Sequence, residues 1–246
     1  MGLRIDMRNQ INNCLMEFVH ESQQHSGITE LLELYGSIIN GFTLPLREDH
    51  VTSLKRTLLP LLKVDNYDLT LFFPELSYCI LQFLEKEPTL YEEITFRVIQ
   101  YWPHMCSSKQ MMFIDLLEEI IDVADPADFE KICQPVVTKI AICIANAQWQ
   151  VSQRALNFWS NEYSLTLLEA YSDIIFPIIL PSMIRVCENH WYSDMRWLAI
   201  ETLKTLSVMD LELVEEILAL KKKTYLLRWK MEDAHRQRTP KVLKSD

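Results

Sequence analysis

Residues 28–42 read ITELLELYGSIINGF, and the spacing of their apolar side chains decides the fold class. Leu31, Leu32, Leu34, Tyr35, Ile38 and Ile39 return every three or four positions, the period of an α-helix with one apolar face, and Gly41 and Pro45 end the run. On the N-terminal side, Ile11, Cys14, Leu15, Phe18 and Val19 repeat the pattern across residues 4–23, with Gly27 as the break. So short a connection predicts that the two helices lie antiparallel, as a hairpin.

On the C-terminal side the same alternation predicts helices near residues 48–62, 74–86, 90–102, 108–123, 129–147, 150–159, 165–188 and 193–208, then a long last helix from Leu211. No stretch alternates with the period of a β-strand, so the chain is expected to be all-α. Helical periodicity alone fits a bundle or a solenoid of hairpins. Hairpins beginning near residues 4, 48, 90, 129 and 165 match the 40-odd-residue period of HEAT-like arrays, which favours an α-α superhelix of about five repeats. The expected organisation is a repeat array over residues 1–209, followed by a C-terminal helix and basic tail over residues 210–246. Pro135, Pro177 and Pro181 fall inside predicted helices, where each forgoes a hydrogen bond and crowds the preceding turn, so kinks or breaks are expected there.

Composition narrows the function. The chain has four glycines, none after Gly41, which argues against tight hairpin turns and phosphate-cradling loops. Cys14, Cys79, Cys106, Cys133, Cys143 and Cys187 contain no C-x-x-C pair and read as thiols in a reducing compartment. The residues predict neither a signal peptide nor a membrane span, and the expected location is cytoplasmic and nuclear. The net charge of −10 is uneven, because residues 221–246 hold nine Lys/Arg against three Asp/Glu. An acidic body disfavours nucleic acid; the tail is either a solvated helix end or a patch for an acidic partner.

Enzyme chemistry fits poorly. The histidines at 20, 25, 50, 104, 190 and 235 form neither H-x-x-x-H nor H-E-x-x-H, so no metal site or metal cofactor is expected. Glu118, Glu119, Asp122, Asp125 and Asp128 lack the spacing that converges two hard ligands, and they read as a solvated helix end followed by a cap. No Ser or Cys sits in a nucleophile elbow. Trp102, Trp149, Trp159, Trp191 and Trp197 fall near helix ends and are expected to wedge hairpins together rather than to cage a ligand.

The constellation that suggests binding is near the N-terminus. Arg4 and Arg8 share a face of the first helix, Leu34 and Ile38 a face of the second, and Arg47 and His50 lie in the first turn of the third. Converging, they would form an apolar floor with a cationic rim, suited to an extended peptide with acidic or phosphorylated flanks. Spacing alone favours the plainer reading, with Leu34 and Ile38 as ordinary core residues and Arg4 and Arg8 as a solvated face.

The wording of the sequence favours the first reading. QINN at 10–13, ELLELYGSIINGFTLPL at 30–46, QFLEKE at 82–87 and RALNFWSNEY at 154–163, with YWP at 101–103, LEEIIDV at 117–123 and ENHW at 188–191, closely resemble the B-prime regulatory subunits of protein phosphatase 2A. The resemblance runs in order from Gly2 to about Met209. It implies a non-catalytic HEAT-like solenoid that docks on the phosphatase scaffold and catalytic subunits and recruits substrate proteins carrying a Leu-x-x-Ile-x-Glu motif, often strengthened by phosphorylation. Glu33, Leu34 and Ile38 match the family's peptide-pocket helix, Arg4 and Arg8 its basic contacts, and Arg47 and His50 its contacts to the acidic side chain. Leu34 stands where Ile is usual and Arg47 where Lys is usual. Family members carry further repeats before the point equivalent to Gly2, among them a His-Arg pair and a Tyr that complete the pocket, so a shortened member is expected. The alternative is a non-assembling or competing paralogue that acts as a stand-alone helical-repeat peptide binder.

Overall fold

The computed structural model describes residues 2–22, 27–64 and 69–220, excepting the side chains of residues 2–5, 21 and 22. The expected basic tail and the side chain of Arg4 therefore lie outside the described residues. All regular elements among the described residues are helices.

The first hairpin is α1 (Gly2–Glu17), extended by a π turn over Phe18–Ser22, and α2 (Ile28–Asn40). Gly27 precedes α2 with φ of 101°, a left-handed conformation that glycine adopts without a Cβ clash. The second joins α3 (Glu48–Ser53), a π turn at Leu54–Leu58 and α4 (Leu59–Leu61) to α5 (Leu69–Lys86). The third is α6 (Tyr91–Gln100) with α7 (Ser107–Val123), and the fourth α8 (Pro126–Ile144) with α9 (Trp149–Leu156). After α10 (Glu162–Ala170), α11 (Ser172–Asn189) and α12 (Ser193–Met209) make the fifth. Residues 211–220 are helical as well.

Packing follows a two-layer scheme. α2, α5, α7, α9 and α12 stack in succession as one layer, while α1, the α3–α4 helix, α6, α8 and α11 form the other. Each repeat buries apolar faces on its neighbours, and one continuous core runs from Ile11 to Val214. This is the geometry of an α-solenoid, whose cohesion comes from nearest-neighbour interfaces. Polar ties across the seams span one repeat each: Asn146 Nδ2 donates to Gln110 at 3.1 Å, Lys109 Nζ to the Val64 carbonyl at 2.7 Å, and Trp191 Nε1 to the Ala147 carbonyl at 2.8 Å.

Several local expectations change. The helix expected over 165–188 is two, α10 and α11, bent by 105°. Tyr171 makes that corner: its ring packs edge-on against Phe129 and its hydroxyl donates to the Pro126 carbonyl at 2.9 Å, tying the break to the preceding repeat. α8 and α11 continue past Pro135, Pro177 and Pro181 without a break. α5 starts before Pro74 rather than at it, because burial of Leu69, Phe72 and Phe73 rewards an extra turn. Trp102 and Trp159 are buried wedges, whereas Trp191 and Trp197 are exposed. No single described helix is long and apolar enough to cross a membrane.

Candidate functional site

The N-terminal corner is built on α1, α2 and the start of α3. α2 turns Leu32, Tyr35, Gly36 and Ile39 inward and leaves Glu33 and Leu34 exposed, with Ile38 half-buried at the edge of the core. Gly36 permits a close approach to α5, since a Cβ there would come within 3.0 Å of the Tyr78 ring. On the inward face, Tyr35 Oη and Ser53 Oγ lie 2.5 Å apart, and Ser53 Oγ donates to Asn12 Oδ1 at 2.8 Å. That buried chain fastens all three helices and fixes the direction of the outward face of α2.

The turn between α2 and α3 contains a cis Leu44–Pro45 bond and returns Phe42 over His50, with ring centroids 3.7 Å apart and planes within 8°. The start of α3 then gathers charge. Arg8 Nη2 meets Asp49 Oδ2 at 2.7 Å, Arg47 Nε lies 3.2 Å from Asp49 Oδ1, and His50 Nε2 lies 3.9 Å from the same oxygen. Burial works to raise the Asp49 carboxyl, but the Arg8 hydrogen bond and the charges of Arg8, His50 and Arg47 override it and hold it below its ordinary value. Burial lowers the His50 imidazole, and Arg8 and Arg47 add to that against the pull of Asp49. The positive charge of the corner at neutral pH is therefore carried by the arginines.

Of the residues read from sequence, Arg8, Arg47 and His50 are gathered around one carboxylate, and Glu33, Leu34 and Ile38 share one edge of α2. The two sets are joined through Tyr35 and Ser53. Arg8 is buried rather than a solvated rim residue. Arg8 Nε and His50 Nδ1 are buried with no hydrogen-bond partner, so the corner holds unused polar capacity. Sequence reasoning missed Asp49, Phe42, Asn12 and Ser53. Asp49 was detectable, since an acid between Arg47 and His50 in a first helical turn is a ready counter-ion.

Among the described residues no group of His, Cys, Asp and Glu could hold a metal ion. The corner presents an exposed leucine on α2 and a pair of guanidiniums gathered at the start of α3.

Comparison with known proteins agrees with the resemblance read from the sequence. The family model described as protein phosphatase 2A regulatory B subunit (B56 family) matches residues 1–241. The chain is 41% identical over 217 residues to the alpha isoform of the serine/threonine-protein phosphatase 2A 56 kDa regulatory subunit from Mus musculus, covering 88% of this chain and 44% of that protein. It is also 41% identical to the regulatory subunit pptr-1 of Caenorhabditis elegans, covering 88% of this chain and 40% of that one. The human delta isoform shows 41% identity with coverage of 88% and 36%. The chain thus spans less than half the length of these relatives. With nearly all of its own length matched and its helices stacked as a solenoid, the chain belongs to the B56 family of protein phosphatase 2A regulatory B subunits.

Proposed function

We propose that the chain acts as a non-catalytic regulatory and targeting subunit of protein phosphatase 2A. It binds the phosphatase scaffold and catalytic chains and recruits substrate proteins through Leu-x-x-Ile-x-Glu segments with acidic or phosphorylated flanks. The observation that carries this reading is the family match over residues 1–241. The N-terminal corner supports the finer part. In this reading the motif's Ile addresses the α2 edge, and its Glu, roughly 7 Å further along an extended peptide and on the same side, addresses the arginine cluster. The solenoid seams supply the extended surface on which larger chains dock.

Two measurements test this. Mixed with purified scaffold and catalytic chains, the native chain is expected to co-elute with them and to carry phosphatase activity; failure to co-elute rejects the adaptor role, and peptide binding without co-elution favours the stand-alone binder. In a fluorescence titration with a Leu-x-x-Ile-x-Glu peptide, affinity near about −8 kcal/mol is expected. Leu34→Ala, which truncates a side chain 49% exposed and so spares the core, should weaken binding by ~1–2 kcal/mol. An unchanged affinity in that variant would reject the site.

A further inference from the structure

We propose that Asp49 sets the charge selectivity of the peptide site: in the free chain its carboxylate occupies the cation cluster, and a bound segment must bring an acidic group that displaces it. The inference rests on the peptide-binding reading above and adds what kind of acid the site selects.

The geometry is that of a stand-in ligand. Asp49 faces Arg8 from α1 and both Arg47 and His50 from its own turn, so one carboxylate is shared among three groups. It serves them incompletely. Arg8 presents a single nitrogen, Nη2, to Asp49, and its buried Nε has no partner. A guanidinium can hold two oxygens side by side, so Arg8 retains capacity for a second acceptor.

Mobility divides the same way. The Arg8 side chain is 8% exposed and fixed by burial, while those of Asp49 and Arg47 are 40% and 65% exposed. Asp49 can therefore rotate outward into water, where its charge is well solvated, leaving Arg8 in place to meet the incoming group. Exchanging one carboxylate for another gains little Coulomb energy. A phosphoryl group, carrying about −1.5 to −2 charges and three acceptor oxygens, gains more against the same two guanidiniums. The native chain should accordingly prefer phosphorylated or clustered acids to a single carboxylate, and should discriminate weakly between a lone acid and its neutral amide.

The test compares the full chain with Asp49→Asn, which keeps an oxygen acceptor for Arg8 but removes the charge. Three fluorescent peptides serve as probes: Leu-x-x-Ile-x-Glu, the same with Gln for Glu, and the Glu peptide with an adjoining phosphoserine. Removing one unit charge a few ångströms from the ligand acid should raise the Glu-over-Gln affinity ratio by about tenfold, and this gain should shrink in high salt. The phosphoserine peptide should keep or increase its advantage over the Glu peptide in the variant, since the more negative group gains most from removal of the competing charge.

An unchanged or reduced Glu-over-Gln ratio in Asp49→Asn, with the native chain still binding the Glu peptide, overturns the inference and leaves the peptide site standing. Absence of binding by both chains overturns both. Circular dichroism checks folding. Should Asn unfold the chain, Asp49→Glu, which keeps the charge, is expected to hold the native ratio, and a several-fold rise there would overturn the proposal.

Discussion

Arg8 and Arg154 occupy equivalent roles in different seams. Each crosses to an acid about one repeat away: Arg8 of α1 to Asp49 of α3, and Arg154 of α9 to Asp115 and Glu118 of α7. The surplus charge is opposite. At the first seam two arginines and an imidazole share one carboxylate. At the third-to-fourth seam one arginine serves two carboxylates, with Asp122 and Glu119 further along α7. Burial, followed by the charges of Asp115, Asp122 and Glu118, raises the Glu119 carboxyl above its ordinary value, whereas Asp49 is held below its own. The solenoid repeats its architecture and not its electrostatics, so one helical scaffold presents a basic corner and an acidic flank.

The largest expected effect separates the two arginines. Arg154→Ala leaves Asp115 and Glu118 facing each other, and because the side chain is only partly exposed the loss should be ~3 kcal/mol of folding stability. Arg8→Ala leaves Asp49 still held by Arg47 and close to His50, so ~2 kcal/mol is expected. Urea midpoints at constant slope measure both. Equal losses would mean that residual charge does not distinguish the seams, and recovery of part of the Arg154→Ala loss by adding Glu118→Gln would sharpen the distinction.

A smaller effect belongs to the neutral chain beneath the first seam. Tyr35→Phe removes the hydroxyl beside Ser53, while Ser53 keeps its bond to Asn12. The ring remains in the core, so the cost should be ~1 kcal/mol in the same urea assay. A loss as large as that of Arg8→Ala would show that this neutral link, rather than the ion cluster, fastens α1 to α3.

How much of this was legible depended on the range of the interaction. Local periodicity placed the hairpins well: the second and third begin at Glu48 and Tyr91, against expected starts near residues 48 and 90. It failed where one tertiary contact decides. Nothing in residues 165–188 announces that Tyr171 will pack on Phe129 and bend the chain there. At the site, Arg8 is exposed or buried depending on whether a carboxylate crosses from α3, a matter of register between helices 41 residues apart. Residue type and spacing gathered the binding candidates and set Asp49 between Arg47 and His50, but its bond to Arg8 came only with the packing.

The smallest effect, and the one that isolates charge from shape, is the response to acid. His50 has an ordinary value of 6.5 that folding lowers. As pH falls below 6.5, the unfolded chain takes a proton that the folded chain refuses, so this group withdraws stability until the lower folded value is passed. Asp49 acts in the same direction later, contributing above its unfolded value of 3.8 and losing that contribution as pH falls through its lower folded value. Glu119 has the opposite sign. Its folded value lies above the ordinary 4.5, so the folded chain takes a proton first, relieving repulsion along α7 and adding stability as pH falls toward 4.5. Melting curves between about pH 7 and about pH 5 should therefore show a shallower acid loss in His50→Gln and a steeper one in Glu119→Gln than in the native chain. Identical slopes in all three would remove the electrostatic difference between the seams, whatever the truncations of Arg8 and Arg154 cost.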